Sequence, residues 1–237
     1  MRIDKLLSNS GFGSRKEVKI LLKARAVEVN GETVHDPKFQ VNEKADHVSI
    51  GGEVVVYREF LYVMMNKPQG VISATEDRYD ETVIDLLTES EQRFEPFPVG
   101  RLDKDTEGLL LITNDGKLAH ELLSPRKHVD KTYYAKIDGV VTEEDGAAFL
   151  KGVVLDDGYE TKPATLHILH SGEQSEIELT ITEGKFHQVK RMFESIGKQV
   201  VFLKRLSMGP LELDDTLALG QYRELTEEEL NKLKQRK

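Results

Sequence analysis

The segment GRLDKDTEGLLLITNDG, residues 100–116, joins a dense polar loop to one of the longest apolar runs of the chain. Leu109–Thr113 predicts a buried strand, and the following Asn-Asp-Gly predicts a turn that leads into a helix. Asp103 and Asp105 lie two residues apart in the loop before that strand. Because functional residues are common in polar loops beside buried strands, this loop is the first candidate site.

The residues alone leave three interpretations of this carboxylate pair open: a glycosidase pair, a set of metal ligands, or a solvated turn. The close spacing argues against a glycosidase, whose two carboxylates usually come from different chain segments. The chain has no cysteine, and its seven histidines show no two-ligand helical spacing such as HExxH. We therefore expect no metal.

Strands outnumber helices of crossover length along the rest of the chain. Hydrophobic periodicity predicts strands at 61–65, 132–137, 164–169, 177–181 and 200–203, and helices at 82–87, 117–123, 142–150 and 188–195. A capping box at Thr226 and Glu229 predicts a terminal helix within residues 226–237. This pattern favours an α+β fold with a mainly antiparallel, mixed sheet.

A small module of two helices and a hairpin precedes that region. Ser14 and Glu17 form a predicted capping box for the second helix, and Asn30-Gly31 is a strong hairpin signal. Gly51-Gly52 marks a linker. We predict a module at residues 1–50, a linker at 51–60 and a larger domain at 61–237.

Charge is distributed unevenly between these parts. The whole chain has a net charge of −9, which argues against a nucleic-acid partner, but residues 1–30 hold seven basic residues against three acidic ones. A second basic island, residues 184–205, holds six basic residues and one acidic residue. Because fields act within about 8 Å at physiological salt, two such patches can bind phosphates on an acidic protein; the alternative is a solvated charged face.

The short apolar runs and the first ten residues argue against a membrane-spanning or secreted protein. The longest purely apolar run, FLYVMM at residues 60–65, has six residues, whereas a bilayer-spanning helix needs about 20. The first ten residues, MRIDKLLSNS, lack the continuous apolar stretch of a secretory signal. We expect a cytoplasmic protein that does not contact membranes.

Residues 2–34, RIDKLLSNSGFGSRKEVKILLKARAVEVNGETV, resemble the alpha-L RNA-binding module of a small-subunit ribosomal protein and several RNA-modifying enzymes, over residues 1 to about 48. Residues 100–116 resemble the signature loop of the RsuA type of pseudouridine synthases. Further motifs match in the expected order, at NKPQG (66–70), Lys131-Thr132-Tyr133 and EGKFHQVKRMFESIG (183–197). Together these motifs cover most of residues 60–210.

The resemblance implies a cofactor-independent isomerisation, in which uracil leaves its ribose, rotates and rejoins through a ring carbon. It places the essential aspartate at Asp103 rather than Asp105, the tyrosine that lies against the base at Tyr133, and the basic partner at Lys190, with Arg191 as the near alternative. Arg101 resembles the side chain that occupies the space left by the flipped uridine. Substrate-binding candidates are Arg101, Arg191, Arg15, Lys16, Lys19 and Lys23.

The resemblance also limits the roles of neighbouring residues. His187 and Gln188 are expected to form structural hydrogen bonds rather than to act in catalysis, and Met192 and Phe193 to belong to the core. Asp105 and Thr106 are expected to hold the shape of the loop.

These features predict a pseudouridine synthase of ribosomal RNA that acts as a monomer on small-subunit RNA, in a structured or partly assembled form. One alternative is a large-subunit target. Others are a ribosome-assembly factor that binds RNA without catalysis, and a hydrolase of nucleosides, which would leave residues 1–48 unexplained.

Overall fold

The structure, a computed structural model, describes residues 1–55 and 57–235, and its chain divides into two units. The first unit comprises Met1–Leu61 and Leu87–Pro96, and the second comprises Tyr62–Leu86 and Phe97–Lys237. The domain boundaries near residues 50 and 61 stay a prediction. Val56 of the predicted linker lies outside the described residues, as do the last two residues of the predicted terminal helix.

The first unit contains the predicted helices and hairpin. Ser14 caps the second helix, because its hydroxyl accepts from the Glu17 backbone N–H while the Glu17 carboxylate accepts from the Ser14 N–H at 2.6 Å. The predicted capping box and hairpin are thus confirmed. Its elements are α1 (Ile3–Asn9), α2 (Arg15–Lys23), β1 (Val27–Val29), β2 (Glu32–Thr33), β3 (Val48–Ile50), β4 (Glu53–Val54) and α3 (Glu89–Gln92).

The four strands of the first unit form an antiparallel sheet in the order β2-β1-β3-β4. Apolar side chains of the two helices pack with those of the sheet, among them the buried residues Ile3, Leu7, Val18, Leu22 and Val27. The apolar stripe of α2 therefore faces inward and its charged side chains face solvent. β4 lies within the segment that was predicted as a linker.

The second unit is built on one large mixed sheet. Its strands are β5 (Tyr62–Lys67), β6 (Phe97–Pro98), β7 (Glu107–Thr113), β8 (Lys131–Asp138), β9 (Thr165–His170), β10 (Gln174–Ile181), β11 (Gln199–Met208), β12 (Leu211–Glu212) and β13 (Tyr222–Glu224). The main order is β13-β5-β7-β11-β8-β10-β9. The paired strands are antiparallel except for β7 and β11, which confirms the predicted α+β fold.

Helices of the second unit cover this sheet. They are α4 (Gly116–Leu123), α5 (Glu143–Lys151), α6 (Gln188–Glu194) and α7 (Glu227–Lys234). The Asp115 carboxylate accepts from the backbone N–H groups of Lys117 and Leu118, so the predicted turn begins α4. Leu109 and Leu111 of β7 share a core cluster with Leu118 of α4.

The predicted helix at 82–87 is wrong. The backbone N–H and the hydroxyl of Thr82 both donate to the Asp85 carboxylate at 2.8 Å, and Thr82 forms an isolated bridge with Ile72. The segment therefore closes as a turn, although Val83 and Leu87 are buried as a helical face would be. Within residues 1–55 and 57–235, no helix has the length and apolar character needed to cross a membrane.

Candidate active site

The loop that contains Asp103 lies between β6 and β7, and a buried lysine fixes it. Lys67 is fully buried at the end of β5, and its ammonium donates to the carbonyl oxygens of Pro68 (2.9 Å), Asp103 (3.2 Å) and Thr106 (3.0 Å). Ser73 adds a second anchor, because its hydroxyl donates to the Leu102 carbonyl at 3.0 Å. The backbone on both sides of the Asp103 side chain is thereby held to β5 and its following loop.

Burial lowers the pKa of Lys67 from 10.5 to about 8, against the charges of Asp103, Asp105 and Glu107, which raise it. Lys67 has no role among the residues predicted from the sequence. The signal is a lysine two residues after the apolar run FLYVMM (60–65), where a charge must find acceptors inside the fold.

Gly108 lets the strand after the loop approach β11 closely. Its φ is +102°, and a Cβ there would lie 2.3 Å from the carbonyl oxygen of Arg205. Gly108 pairs with Arg205, and Arg205 pairs in turn with Tyr133 of β8. This packing brings β7, β11 and β8 side by side next to the Asp103 loop.

Lys190 joins both carboxylates of the loop to α6. Its ammonium lies 3.3 Å from an Asp103 oxygen and hydrogen-bonds both Asp105 oxygens, at 2.6 and 2.9 Å. The predicted pairing of Asp103 with Lys190 is therefore present, but Asp105 is the closer partner. No contact between Arg191 and Asp103 is found among the described residues.

The lysine and Asp105 stabilise each other's charged forms. The hydrogen bond from Lys190 holds the pKa of Asp105 below its ordinary value. Burial would lower the pKa of Lys190, but its hydrogen bonds and charge interactions with Asp105 and Asp103 outweigh burial and raise it. Asp105 thus anchors the lysine, which leaves the Asp103 carboxylate beside an ammonium that is already held in place.

Tyr133 and Asp103 line one cleft, which is named the Asp103 cleft below. Its walls also include Arg101, Leu102, Ile181, His187 and Leu203. Tyr133 is buried, whereas its neighbour Tyr134 is half-buried and packs edge-on against Phe202, with ring centroids 6.0 Å apart. Burial and a hydrogen bond with Glu176 raise the pKa of Tyr134 to about 12. A carboxylate, an ammonium and an aromatic ring can together hold a planar base next to a nucleophile or general base.

His187, for which the sequence predicts structural hydrogen bonds, lies beside Asp103. Its Nε2 is 3.5 Å from an Asp103 oxygen, its φ is +47°, and its ring stacks on Phe186 with centroids 3.8 Å apart. Gln188 instead forms the predicted structural bonds: it accepts from the Lys185 N–H at 2.9 Å and donates to Glu183 at 2.7 Å.

The remaining RNA-binding candidates differ in their surroundings. Arg101 is exposed at the Asp103 cleft, and no ion pair holds it within the described residues. Arg191 instead donates to Asp156 at 2.6 Å and lies 2.7 Å from Asp157. Met192 and Phe193 are fully buried, as predicted. In the first unit, the four basic side chains of α2 are exposed and have no ion pair in the described part of the chain. They are named the N-terminal quartet: Arg15, Lys16, Lys19 and Lys23.

Two family models match the chain in the order of its two units. The model described as RNA pseudouridylate synthase matches residues 61–195, which contain Asp103, Tyr133 and Lys190. The model described as the S4 domain matches residues 1–48, which contain the N-terminal quartet.

Relatives match over nearly the whole chain. An uncharacterized RNA pseudouridine synthase of Bacillus subtilis is 58% identical over 98% of this chain and 98% of its own length. The ribosomal small subunit pseudouridine synthase A of Escherichia coli is 38% identical over 97% of this chain and 98% of its own length. A crystal structure of a pseudouridylate synthase, 36% identical, aligns with a TM-score of 0.69 over 98% of this chain and 99% of that chain.

Proposed function

The chain belongs to the RNA pseudouridylate synthase family, with an S4 domain at its N-terminus, and from this premise we propose that it isomerises one uridine of small-subunit ribosomal RNA at the Asp103 cleft. The family's reaction converts uridine in RNA to pseudouridine. Support for a small-subunit target comes from relatives named small subunit pseudouridine synthase A, which match this chain over 97% of its length.

The proposed chemistry rests on one observation: the Asp103 carboxylate lies 3.3 Å from the Lys190 ammonium in a cleft lined by Tyr133. The bond between the ribose C1′ and the uracil N1 breaks, the base rotates, and a bond forms between C1′ and C5 of the ring. The proton on C5 is lost to solvent and N1 gains one, so the atoms of the nucleotide balance. Asp103 acts as nucleophile or base in this sequence, and Lys190 supplies the opposite charge beside it.

Tyr133 and Arg101 act on the base and on the gap it leaves. The Tyr133 ring holds the uracil by stacking, which is worth about 1–3 kcal/mol per base. Flipping the uridine costs a few kcal/mol of stacking and pairing, and the exposed Arg101 at the mouth of the cleft offsets part of it. Asp105 holds Lys190 rather than reacting.

Affinity for folded RNA is assigned to the N-terminal quartet. Four exposed cations on one short helix can meet phosphates, and a second binding region raises the effective concentration of RNA at the catalytic unit. We therefore expect a structured, partly assembled RNA to react faster than a short hairpin. A monomer in the cytoplasm, where ribosomal RNA is found, agrees with this proposal.

The test compares substrates for the purified protein. RNA carrying tritium at C5 of uridine is supplied as small-subunit RNA with and without early-binding ribosomal proteins, as a short hairpin with the mapped uridine, as large-subunit RNA, and as transfer RNA. We expect tritium release from a single small-subunit uridine, slower release from the hairpin, and none with Asp103→Asn. Preferred reaction with large-subunit RNA would overturn the target and leave the reaction intact. RNA binding without release from any substrate would favour an assembly factor.

A further inference from the structure

A second cavity, of about 230 Å³, adjoins the Asp103 cleft. The two share Arg101, Tyr133, Gly184 and Lys185 as walls, but Asp103 lines only the first. The second cavity is named the cationic cavity here because of its basic lining residues, which are Arg101, Lys131, Lys162, Lys185 and Arg205.

Arg205 is the most buried of these cations. Only 2% of it is exposed; its Nε donates to the Leu109 carbonyl at 2.8 Å, while its Nη2 has no hydrogen-bond partner among the described residues. A guanidinium stays charged in proteins, and a buried charge without an opposite charge is costly. The position therefore favours an anion in the adjoining space.

Three further cations of the cavity also keep their charges available. In the part of the chain that the structure describes, no ion pair holds Arg101, Lys162 or Lys185. Lys162 has only long contacts, at 3.4 Å to the Pro125 carbonyl and 3.3 Å to His128. These three cations contrast with Lys190 and Arg191 of the basic island at residues 184–205, which carboxylates hold.

Among the described residues that line the cavity, one is acidic, and its carboxylate oxygens are occupied. Glu183 accepts from the Tyr159 hydroxyl at 2.7 Å, from Gln188 at 2.7 Å and from the Lys162 backbone N–H at 3.1 Å. These bonds also orient the Tyr159 ring, over which the Lys185 ammonium lies 4.3 Å from the centroid. Lys185 is thereby placed at the cavity by a cation–π contact, and Glu183 has little left to offer a cation.

We propose that the cationic cavity binds a backbone phosphate of the nucleotide next to the target uridine. This inference rests on the proposed role of the Asp103 cleft. A flipped nucleotide remains joined to its neighbours by phosphodiesters, so a phosphate must lie near the cleft when the base occupies it. The shared walls Tyr133 and Arg101 place the base and the phosphate in adjoining spaces.

The experiment replaces one phosphate charge at a time. Synthetic RNA with a single neutral methylphosphonate, at each of the linkages flanking the mapped uridine, is ligated into the folded substrate. Three proteins are compared: the wild type, Lys162→Gln, and the control Lys136→Gln, whose lysine is exposed on β8 and does not line the cavity.

At one linkage we expect methylphosphonate to lower kcat/KM about tenfold for the wild type and the control, as for a lost charge-assisted hydrogen bond. On unmodified RNA, the kcat/KM of Lys162→Gln should be about tenfold lower than that of the wild type. The methylphosphonate at that linkage should lower the kcat/KM of this variant by less than about a further twofold. If the loss from Lys162→Gln and the loss from methylphosphonate multiply independently at every linkage, the proposal is overturned.

Two further arms separate the possible failures. Binding of Asp103→Asn to the same RNAs should show the same linkage effect without any reaction, so an inactive protein would count against the proposed function and not against the cavity. Inorganic phosphate is compared with chloride at equal ionic strength. Inhibition by phosphate that depends on Lys162, without any sensitive linkage, would assign the cavity to a free phosphate and overturn the RNA assignment.

Discussion

The two basic regions of the chain differ in what surrounds their charges. The N-terminal quartet is exposed on α2, and no ion pair holds its members within the described residues. In the second basic island, residues 184–205, Lys190 pairs with Asp105 and Asp103, Arg191 with Asp156 and Asp157, and Lys198 with Asp145. The first region leaves its cations without ion pairs, and the second holds half of its six cations in ion pairs inside the fold.

The charge count along the sequence matches the number of unpaired cations in the quartet, but it overstates that number in the island. The acids that neutralise the island lie 85, 35 and 53 residues away from Lys190, Arg191 and Lys198. Lys185, Lys204 and Arg205 have no such partner within the described residues, and of these three Lys185 and Arg205 line the cationic cavity. Paired cations should therefore govern catalysis and stability, and free cations should govern RNA affinity and its dependence on salt.

The largest effect is expected at the paired carboxylates. Asp103→Asn should lower the rate of single turnover by about 10²- to 10⁴-fold or more, because it removes the reacting carboxylate. Asp105→Asn should lower it by no more than about tenfold, since Lys190 keeps Asp103 as a partner. Both variants should bind RNA within a few-fold of wild type. Equal losses in the two variants would remove the distinction between reacting and anchoring carboxylates.

The next effect concerns Lys67, a fully buried cation of the catalytic unit that backbone carbonyls hold. Its pKa is about 8 in the folded state and near 10.5 in the unfolded chain, so the unfolded state binds more protons between these values. Relative to Lys67→Met, the free energy of unfolding of the wild type should rise by up to about 3 kcal/mol from pH 8 to pH 10.5. Urea unfolding across that range measures it, with Lys136→Met as control. A constant difference would mean that Lys67 titrates normally.

Sequence patterns predicted the elements of the fold well where local chemistry decides them. The capping boxes at Ser14 and Thr226 and the hairpin at Asn30-Gly31 each depend on residues a few positions apart. The segment 82–87 failed because its apolar residues have a helical spacing, while Thr82 and Asp85 close a turn through side-chain bonds.

The site was predictable only in part, because many of its contacts join residues that are far apart in the sequence. Asp103, Tyr133 and Lys190 were identified by resemblance, and the structure brings Asp103 together with the other two. The apolar run before Lys67 signals its burial, but nothing local shows that it bonds the carbonyls of Asp103 and Thr106. The burial of Arg205 beside a second cavity also carries no local signal.

A smaller effect is expected from the free cations of the N-terminal quartet. Replacing all four residues by Gln should lower the slope of log affinity against log salt by about 3, since each phosphate contact contributes about 0.7 to 0.9. Single-turnover rates at saturating protein should be unchanged. Fluorescence titration of RNA at several salt concentrations measures the slope. An unchanged slope would show that the quartet is a solvated helix face.

The smallest effect is expected at Arg191. The sequence predicts that this residue contacts RNA, and this contact stays a prediction. A cation that already neutralises carboxylates releases few counterions when RNA binds, because its charge is spent within the protein. We expect Arg191→Gln to leave the salt slope within about 0.3 of wild type. Lys185→Gln, six residues earlier and without an ion pair in the described part of the chain, should lower it by about 0.7 to 0.9. If Arg191→Gln lowers the slope as much as Lys185→Gln does, RNA must open the ion pairs of Arg191, and the division between paired and free cations would fail within this island.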